Sequence, residues 1–323
     1  MIYGKITLED WRTACVEGEE PESSFESYNL RLFFFGTLYN RDTLQATPDD
    51  TNAKLAADAF LSDPAYGFSR LDGSFTIVYY SENECGVVRD HHGTHYPVYC
   101  HIDGNFATSW QFLEDQLEEN FEPNLVSLST FLQRGILKKN NFALFDVHSL
   151  GAGEKFYMLT ELGYLMPVWA SVKLETQANV HSMFDSLKER NPSLYEKVAD
   201  DIYCLKRDSV FEHEPTVATE RNPDVETYSR RYGELHAQAI RRRIGHSRRV
   251  GILLSGGYDS GSNLAALRSI YDGQIDSYSV GFKGDAWTEL PMARLMSETF
   301  GTRHHEYEID GTETSALPDI VRF

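Results

Sequence analysis

The chain has 323 residues, about twice the roughly 150 of an average domain, which gives it the length for two buried cores. Its 49 Asp and Glu against 30 Lys and Arg leave a formal charge of −19 and repel phosphate backbones and anionic lipids, so neither nucleic acid nor a membrane is expected as a partner. An apolar share of 41%, with 23 glycines and 11 prolines, excludes disordered, collagenous and low-complexity classes.

Cys15, Cys85, Cys100 and Cys204 stand far apart without a CxxC pair, and are read as reduced thiols of a cytosolic protein. Residues 1–11 lack the apolar core of a secretory signal. The longest apolar run, 30–39, is broken by Arg31 and Gly36 and is about half of the roughly 20 residues a spanning helix needs. A soluble, cytoplasmic protein is expected.

Aromatic and β-branched runs at 30–38, 74–80, 85–88, 98–102 and 106–108 are separated by turn-formers at 81–84 and 103–105, which predicts antiparallel hairpins. Between the first two, Leu55, Ala59 and Phe60 are spaced as on a helix over 51–61, stopped by Pro64. A helix over 125–133 and a further hairpin-like pair, 148–150 and 155–159 around Gly151 and Gly153, complete an α+β pattern over 1–170. Residues 171–227 are polar and charged, with one helix-like piece at 192–205 and a Pro- and Glu-rich stretch at 213–224, and read as a linker or insertion. From 228 the texture changes again. Tyr228, Tyr232, Leu235 and Ala239 step along a helix to Ile244 that ends in Arg241, Arg242 and Arg243, where cations favour the helix dipole. The run 250–254 is continuously apolar, as in a strand buried on both faces. Helix 261–269, strand 275–282, helix 289–300 and strand 304–309 come next, an alternation that predicts a parallel α/β sheet over 228–323.

Chemistry concentrates in Leu254-Ser255-Gly256-Gly257-Tyr258-Asp259-Ser260, between the buried strand and a helix start. Gly256 and Gly257 let backbone approach a ligand, and N–H groups at a helix N-terminus cradle phosphates. Asp259 is placed to hold Mg²⁺, and Ser255 and Ser260 to donate hydrogen bonds. A Walker A loop would need Lys after its last Gly, and a nucleophile elbow would need Gly at 253, where this chain has Leu. The plain alternative is a Gly/Ser turn joining strand to helix.

This segment resembles the pyrophosphate loop of the N-type ATP pyrophosphatases, an adenine nucleotide alpha hydrolase-like fold. Ser279-Val280-Gly281-Phe282, then Glu289, Ala293 and Arg294, then residues 301–306 (Gly-Thr-Arg-His-His-Glu) resemble the segments downstream of that loop in asparagine synthetase. Residues 35–40 (Phe-Gly-Thr-Leu-Tyr-Asn), 71–75 (Leu-Asp-Gly-Ser-Phe) and 89–93 (Arg-Asp-His-His-Gly) resemble the glutaminase, or Ntn hydrolase, domain of the same enzymes. The resemblance implies an α+β Ntn-hydrolase-like sandwich followed by an incomplete α/β ATP pyrophosphatase domain, with ATP and Mg²⁺ bound. It implies adenylation of a small-molecule or peptide carboxylate, then attack by an amine donor. Ser255, Gly256, Gly257, Asp259 and Ser260 would hold pyrophosphate and Mg²⁺, and backbone at Leu254 and Val280 would meet adenosine. A homodimer is compatible with it.

Two departures matter. Glutamine-hydrolysing relatives carry Cys directly after the initiator Met, where this chain has Ile2, and an Asn before the glycine, where it has Phe35. Isoleucine is no nucleophile. No catalytic residue is identified, and the first domain is expected to be a degenerate glutaminase, with Asp50 and Asp90 as remnants of acidic positions that contact glutamine. That pattern is shared by β-lactam synthetases and lasso peptide cyclases, and an ammonia-dependent asparagine synthetase is also compatible. A noncatalytic nucleotide-binding or scaffold protein is the alternative from another class. The family also continues past residues 317–321 into a second ATP loop and a helical remainder, so a fragment or split gene is expected rather than a compact enzyme.

The weaker constellations have plain readings. His91, His92 and His95 with Cys100 invite zinc but align with a strand and turn of the family that binds none. His304 and His305 are expected to pack at a strand start. Arg241, Arg242, Arg243, Arg248 and Arg249 either steer ATP or form a solvated helix end. Gly151-Ala152-Gly153 reads as a hairpin turn, and the acidic run 114–122 as a solvated helix face.

Overall fold

A computed structural model describes residues 1–6, 12–64, 67–101, 104–117, 147–159, 167–170, 224–245, 247–284 and 288–310, with isolated positions 125, 128, 129 and 132. The predicted helix 192–205, most of the 171–227 linker, five of the nine residues of helix 125–133 and Cys204 lie outside them. Internal contacts divide the chain into two units, Met1–Glu214 and Pro215–Phe323.

In the first unit, strict alternation builds the layers. Strand β4 (Leu30–Leu38) sends Leu30, Leu32 and Phe34 to one face and Phe33 and Phe35 to the other. Its antiparallel neighbour β5 (Gly73–Ser81) does the same with Phe75, Ile77 and Tyr79 against Val78 and Tyr80. With β3 (Ser23–Glu26), β6 (Glu84–Arg89), β10 (Lys155–Leu159) and β11 (Pro167–Ala170) they form a six-stranded sheet of order β11-β10-β6-β5-β4-β3. A second antiparallel sheet has the order β2-β1-β8-β7-β9, from β1 (Ile2–Lys5), β2 (Val16–Gly18), β7 (Val98–His101), β8 (Asn105–Ala107) and β9 (Val147–Leu150).

Three apolar clusters define four layers. Helix α1 (Asn52–Ser62), capped by the Thr51 hydroxyl on the Lys54 N–H, packs Ala53, Ala56 and Phe60 on the outer face of the six-stranded sheet. Ile2, Phe35, Tyr80, Val98 and Phe106 meet between the sheets. Leu113 of α2 (Trp110–Leu117) covers Ala107 and Val147 on the far side. The unit is therefore helix, sheet, sheet, helix, with each fully buried Phe or Leu contributing about 1.5–3 kcal/mol of transfer free energy.

One expectation is corrected here. The strands around Gly151 and Gly153 do not form a hairpin: β9 pairs with β7 in one sheet and β10 with β6 in the other. The turn is held to its surroundings instead, with the Gly153 N–H on the Asp90 carbonyl and the Arg89 N–H on the Glu154 carbonyl.

In the second unit, parallel strands β12 (Val250–Leu253), β13 (Ile275–Phe282) and β14 (Arg303–Ile309) are joined by α4 (Tyr258–Ile270) and α5 (Leu290–Phe300). The preceding helix α3 (Val225–Ile244) begins three residues before the apolar stripe, because the Asp224 carboxylate caps the N–H groups of Glu226 and Thr227. Ile240 and Ile244 of α3, Leu264 and Leu267 of α4 and Ala293 of α5 all cover the face of Ile252 and Ile275. Burial of β12 on both faces is thus not found among the described residues: right-handed crossovers put both connecting helices on one side, and Leu253 is 79% exposed. Among the described residues no helix is long and apolar enough to cross a membrane, and Cys15, Cys85 and Cys100 are free thiols.

Candidate functional site

The chain turns from β12 into α4 through residues 254–257. Leu254 is buried, donating its N–H to the Tyr278 carbonyl at 2.8 Å and accepting the Ser279 hydroxyl on its own carbonyl. Both backbone groups therefore bond to β13. The same bond fixes which way β13 presents its edge. Backbone groups alternate along a strand, so Val280, two residues beyond Tyr278, aims its N–H and C=O past the end of β12. Val280 is 60% exposed at that edge.

Helix α4 begins at Tyr258, three residues earlier than its apolar spacing predicts, which places Asp259 and Ser260 in the first turn. Its N-cap is Gly257, with no side-chain cap, so the first-turn N–H groups lack the partner a Ser or Asp cap provides. Ser255 and Ser260 hold the loop in shape: their hydroxyls are 3.0 Å apart, Ser260 Oγ accepts the Ser255 N–H at 3.2 Å, and Ser255 Oγ accepts the Gly257 N–H at 3.2 Å. Gly256 has φ of +88°. A Cβ there would lie 2.8 Å from the Glu289 carbonyl oxygen, so the first turn of α5 is the floor of the loop. Ser255, Gly256, Gly257, Asp259 and Ser260 are thus brought together at the carboxyl end of a parallel sheet, where open α/β sheets bind ligands. Asp259 is exposed at a dipole end that attracts anions. A lone carboxylate with flanking hydroxyls suits Mg²⁺, which keeps waters and takes its other ligands from phosphates. The residues fit a Mg²⁺–phosphate ligand.

The arginines lie elsewhere. Arg248 and Arg249 precede β12 and so sit at its opposite end, four residues or about 13 Å from the loop. Arg249 instead lies 3.9 Å from Asp276, which also pairs with Arg303 and holds its carboxyl below the usual range. His304 and His305 open β14 as expected. His304 Nδ1 bonds the Ser277 hydroxyl at 2.8 Å, and His305 stacks on Tyr278.

In the first unit, Ile2 and Phe35 are both fully buried in the cluster between the sheets. The two acidic remnants are engaged in loop structure. Asp90 is buried and accepts the backbone N–H groups of His92, Thr94 and His95 at 2.9–3.0 Å. Asp50 accepts the N–H and hydroxyl of Thr47, both at 2.8 Å, and pairs with Lys54 at 3.1 Å. Both carboxylates are thus tied into the loops that carry them. His91, His92, His95 and Cys100 assemble no site: among the described residues no three His, Cys, Asp or Glu side chains come together to hold a metal ion. Sequence reasoning missed the buried Lys155, whose Nζ lies 2.9 Å from Glu84 and 4.0 Å from the Tyr157 ring centre. Its only signal was a Lys in a strand otherwise apolar and aromatic.

Residues 231–323 match the asparagine synthase family. A probable glutamine-hydrolysing asparagine synthetase of Acanthamoeba polyphaga mimivirus is 30% identical over 104 residues, which cover 31% of this chain and only 18% of that protein. Among solved structures, the glutamine phosphoribosylpyrophosphate amidotransferase of B. subtilis, complexed with ADP and GMP, aligns at 13% identity over 91% of this chain and 74% of its own, with a TM-score of 0.31. An allosteric regulatory enzyme of purine biosynthesis aligns at 13% identity over 90% and 63%, with a TM-score of 0.30. The chain thus resembles the asparagine synthase family over residues 231–323.

Proposed function

We propose that the chain is an ATP-dependent, AMP-forming carbon–nitrogen ligase of asparagine synthetase type, supplied with ammonia or a substrate amine rather than with glutamine nitrogen. The loop from 254 to 260 carries this reading: an uncapped helix start, a glycine pressed on α5 and one exposed carboxylate. A substrate carboxylate oxygen attacks the α-phosphorus of Mg²⁺-ATP, the bond to the bridging oxygen breaks, and pyrophosphate leaves. The amine nitrogen then attacks the acyl carbon, loses a proton to solvent, and AMP departs. Ser255, Gly256, Gly257 and Ser260 receive the pyrophosphate, Asp259 its Mg²⁺, and the Val280 backbone the adenosine. Stabilising the charge on the departing pyrophosphate is the electrostatic part of the catalysis.

The four-layer first unit is read as an Ntn-hydrolase-like sandwich that has lost its nucleophile, since Ile2 and Phe35 stand where hydrolysing relatives need Cys and Asn. That observation favours relatives that use a substrate amine, β-lactam synthetases and lasso peptide cyclases, beside ammonia-dependent asparagine synthesis.

Binding of Mg²⁺ with an ATP analogue carrying a methylene between the α and β phosphates tests the site. Saturable binding that Asp259→Asn weakens is expected, and no binding at millimolar analogue refutes the reading. Pyrophosphate release from ATP with candidate acids and ammonia tests adenylation, and a noncatalytic binding protein would bind the analogue without ever releasing pyrophosphate.

A further inference from the structure

The first turn of α5 touches both loops that close the nucleotide site. Beneath Gly256 lie the Glu289 carbonyl, the Met292 Cβ and the Ala293 N–H, all within 3.2 Å of where a Cβ would stand. At the end of β13, a Cβ on Gly281 would lie 2.6 Å from the Leu290 side chain and 3.2 Å from the Thr288 hydroxyl. Any shift of α5 is therefore passed to the loop. Yet this helix start holds itself weakly: its N-cap Glu289 makes no side-chain cap bond, and the Leu290 N–H reaches Thr288 Oγ1 only at 3.4 Å.

One turn further on, the helix is tied to the sheet. Arg294 Nε and Nη2 each lie 2.6 Å from an oxygen of Glu306, a two-bond fork that fixes orientation as well as distance. Glu306 stands in β14 opposite Ser279 of β13, whose hydroxyl holds the Leu254 carbonyl. The contacts close a ring: the loop, Leu254, Ser279, Glu306, Arg294, Ala293 and the loop again. The far half of α5 is pinned separately, by Ser297 to Thr302 at 2.7 Å and Thr302 to Ser277 at 2.7 Å. His304 Nε2 also lies 3.2 Å from Glu306, but Arg294 alone meets both oxygens of that carboxylate among the described contacts.

We infer that Arg294 and Glu306 are positioning residues for the nucleotide loop, setting the height of α5 under Gly256 without touching the ligand; as a statement about nucleotide affinity, this rests on the reading proposed above. The Arg294 side chain is 52% exposed, and a pair so open to solvent adds little to overall stability. Its worth is directional.

The test compares the full chain with Arg294→Met and Arg294→Lys, reading amide exchange across 254–260 and affinity for the Mg²⁺–methylene analogue. Arg294→Met should speed loop exchange and weaken binding, each by about fivefold or more. Lysine, which keeps the charge and loses the fork, should recover part of both. Wild-type exchange and affinity in Arg294→Met overturn the inference, as does exchange rising evenly from 258 to 309 with no recovery by lysine. If the unsubstituted chain binds no analogue but Arg294→Met still loosens the loop, the positioning role stands and the nucleotide reading falls.

Discussion

Alanine at Gly256 should disrupt the second unit, while alanine at its neighbour Gly257 should not. At Gly256 the backbone has φ of +88°, and an L-residue held in a left-handed conformation costs about 1–2 kcal/mol. The new Cβ would also stand 2.8 Å from the Glu289 carbonyl oxygen, backbone that moves only if α5 moves, which adds about 1–3 kcal/mol of overpacking. At Gly257 φ is −80° and the nearest atom to an added Cβ is the rotatable Ser255 hydroxyl at 3.3 Å. There the cost is the weaker capping by alanine than by glycine, under about 1 kcal/mol. The two substitutions, one residue apart, should therefore differ by about 2–4 kcal/mol. Calorimetry reads this directly, since about 4–8 °C per kcal/mol puts the transition of the second unit roughly 10–30 °C lower for Gly256→Ala. Amide exchange assigns the loss to 254–260 and 289–293. Equal melting of the two variants, or Gly256→Ala within about 0.5 kcal/mol of the parent, would refute the argument that α5 is the floor of the loop.

Lys155 is buried against the partly buried Glu84, so Lys155→Met should cost about 3 kcal/mol by leaving that carboxylate only the Tyr79 hydroxyl, and adding Glu84→Leu should restore part of it; additive losses in a double-mutant cycle would contradict this. Arg268 donates to the carbonyls of Phe300, Tyr271, Gly273 and Gly301 at 2.8–3.1 Å, joining the ends of α4 and α5, and Arg268→Ala should lower stability by about 2–3 kcal/mol in urea titration; an unchanged midpoint would show those carbonyls equally well served by water. The Asp50 carboxyl is held down to about 2, first by the Thr47 backbone N–H, then by the Thr47 hydroxyl and Lys54. A depressed carboxyl stabilises fully above its unfolded value near 4 and loses that contribution as pH falls through about 2. Asp50→Asn should therefore flatten the decline in stability between those values, and parallel curves for parent and variant would rule the linkage out.

Alternation of apolar residues makes most of the first unit legible. Runs at 30–38, 74–80 and 85–88 announce strands because both faces of that sheet are covered by packed layers. What alternation cannot carry is partnership. Strands β9 and β10 flank a Gly-Ala-Gly turn like any hairpin, and only the packing of two sheets sends them apart. Helices α3 and α4 each start three residues ahead of their apolar spacing for a related reason: Asp224 and Gly257 act through backbone N–H groups at the helix end, outside the apolar stripe that signals the helix. Asp50 and Asp90 each accept neighbouring backbone N–H groups, a use of charge that no spacing rule distinguishes from ligand binding. The loop from 254 to 260 is the opposite case, since its conformation is local and its glycines and serines state it almost completely.

The surroundings of Ile2 decide whether the first unit is one substitution away from hydrolysing glutamine. Ile2 shares its cluster with Cys85 and Cys100, which are thiols already in that apolar layer. Burial pushes Cys85 up to about 12 and Cys100 well above its usual range. A cysteine at position 2 would enter the same environment, and the nucleophile is the thiolate. Beside it in that layer stands the apolar Phe35 ring, which offers no donor to an oxyanion. The backbone at Ile2 is also committed, its N–H donating to the Thr108 hydroxyl at 3.0 Å. Ile2→Cys should therefore release no glutamate from glutamine and should resist alkylation in the folded state. Rapid labelling together with glutamate release would mean that this layer opens to water, and would refute the reasoning.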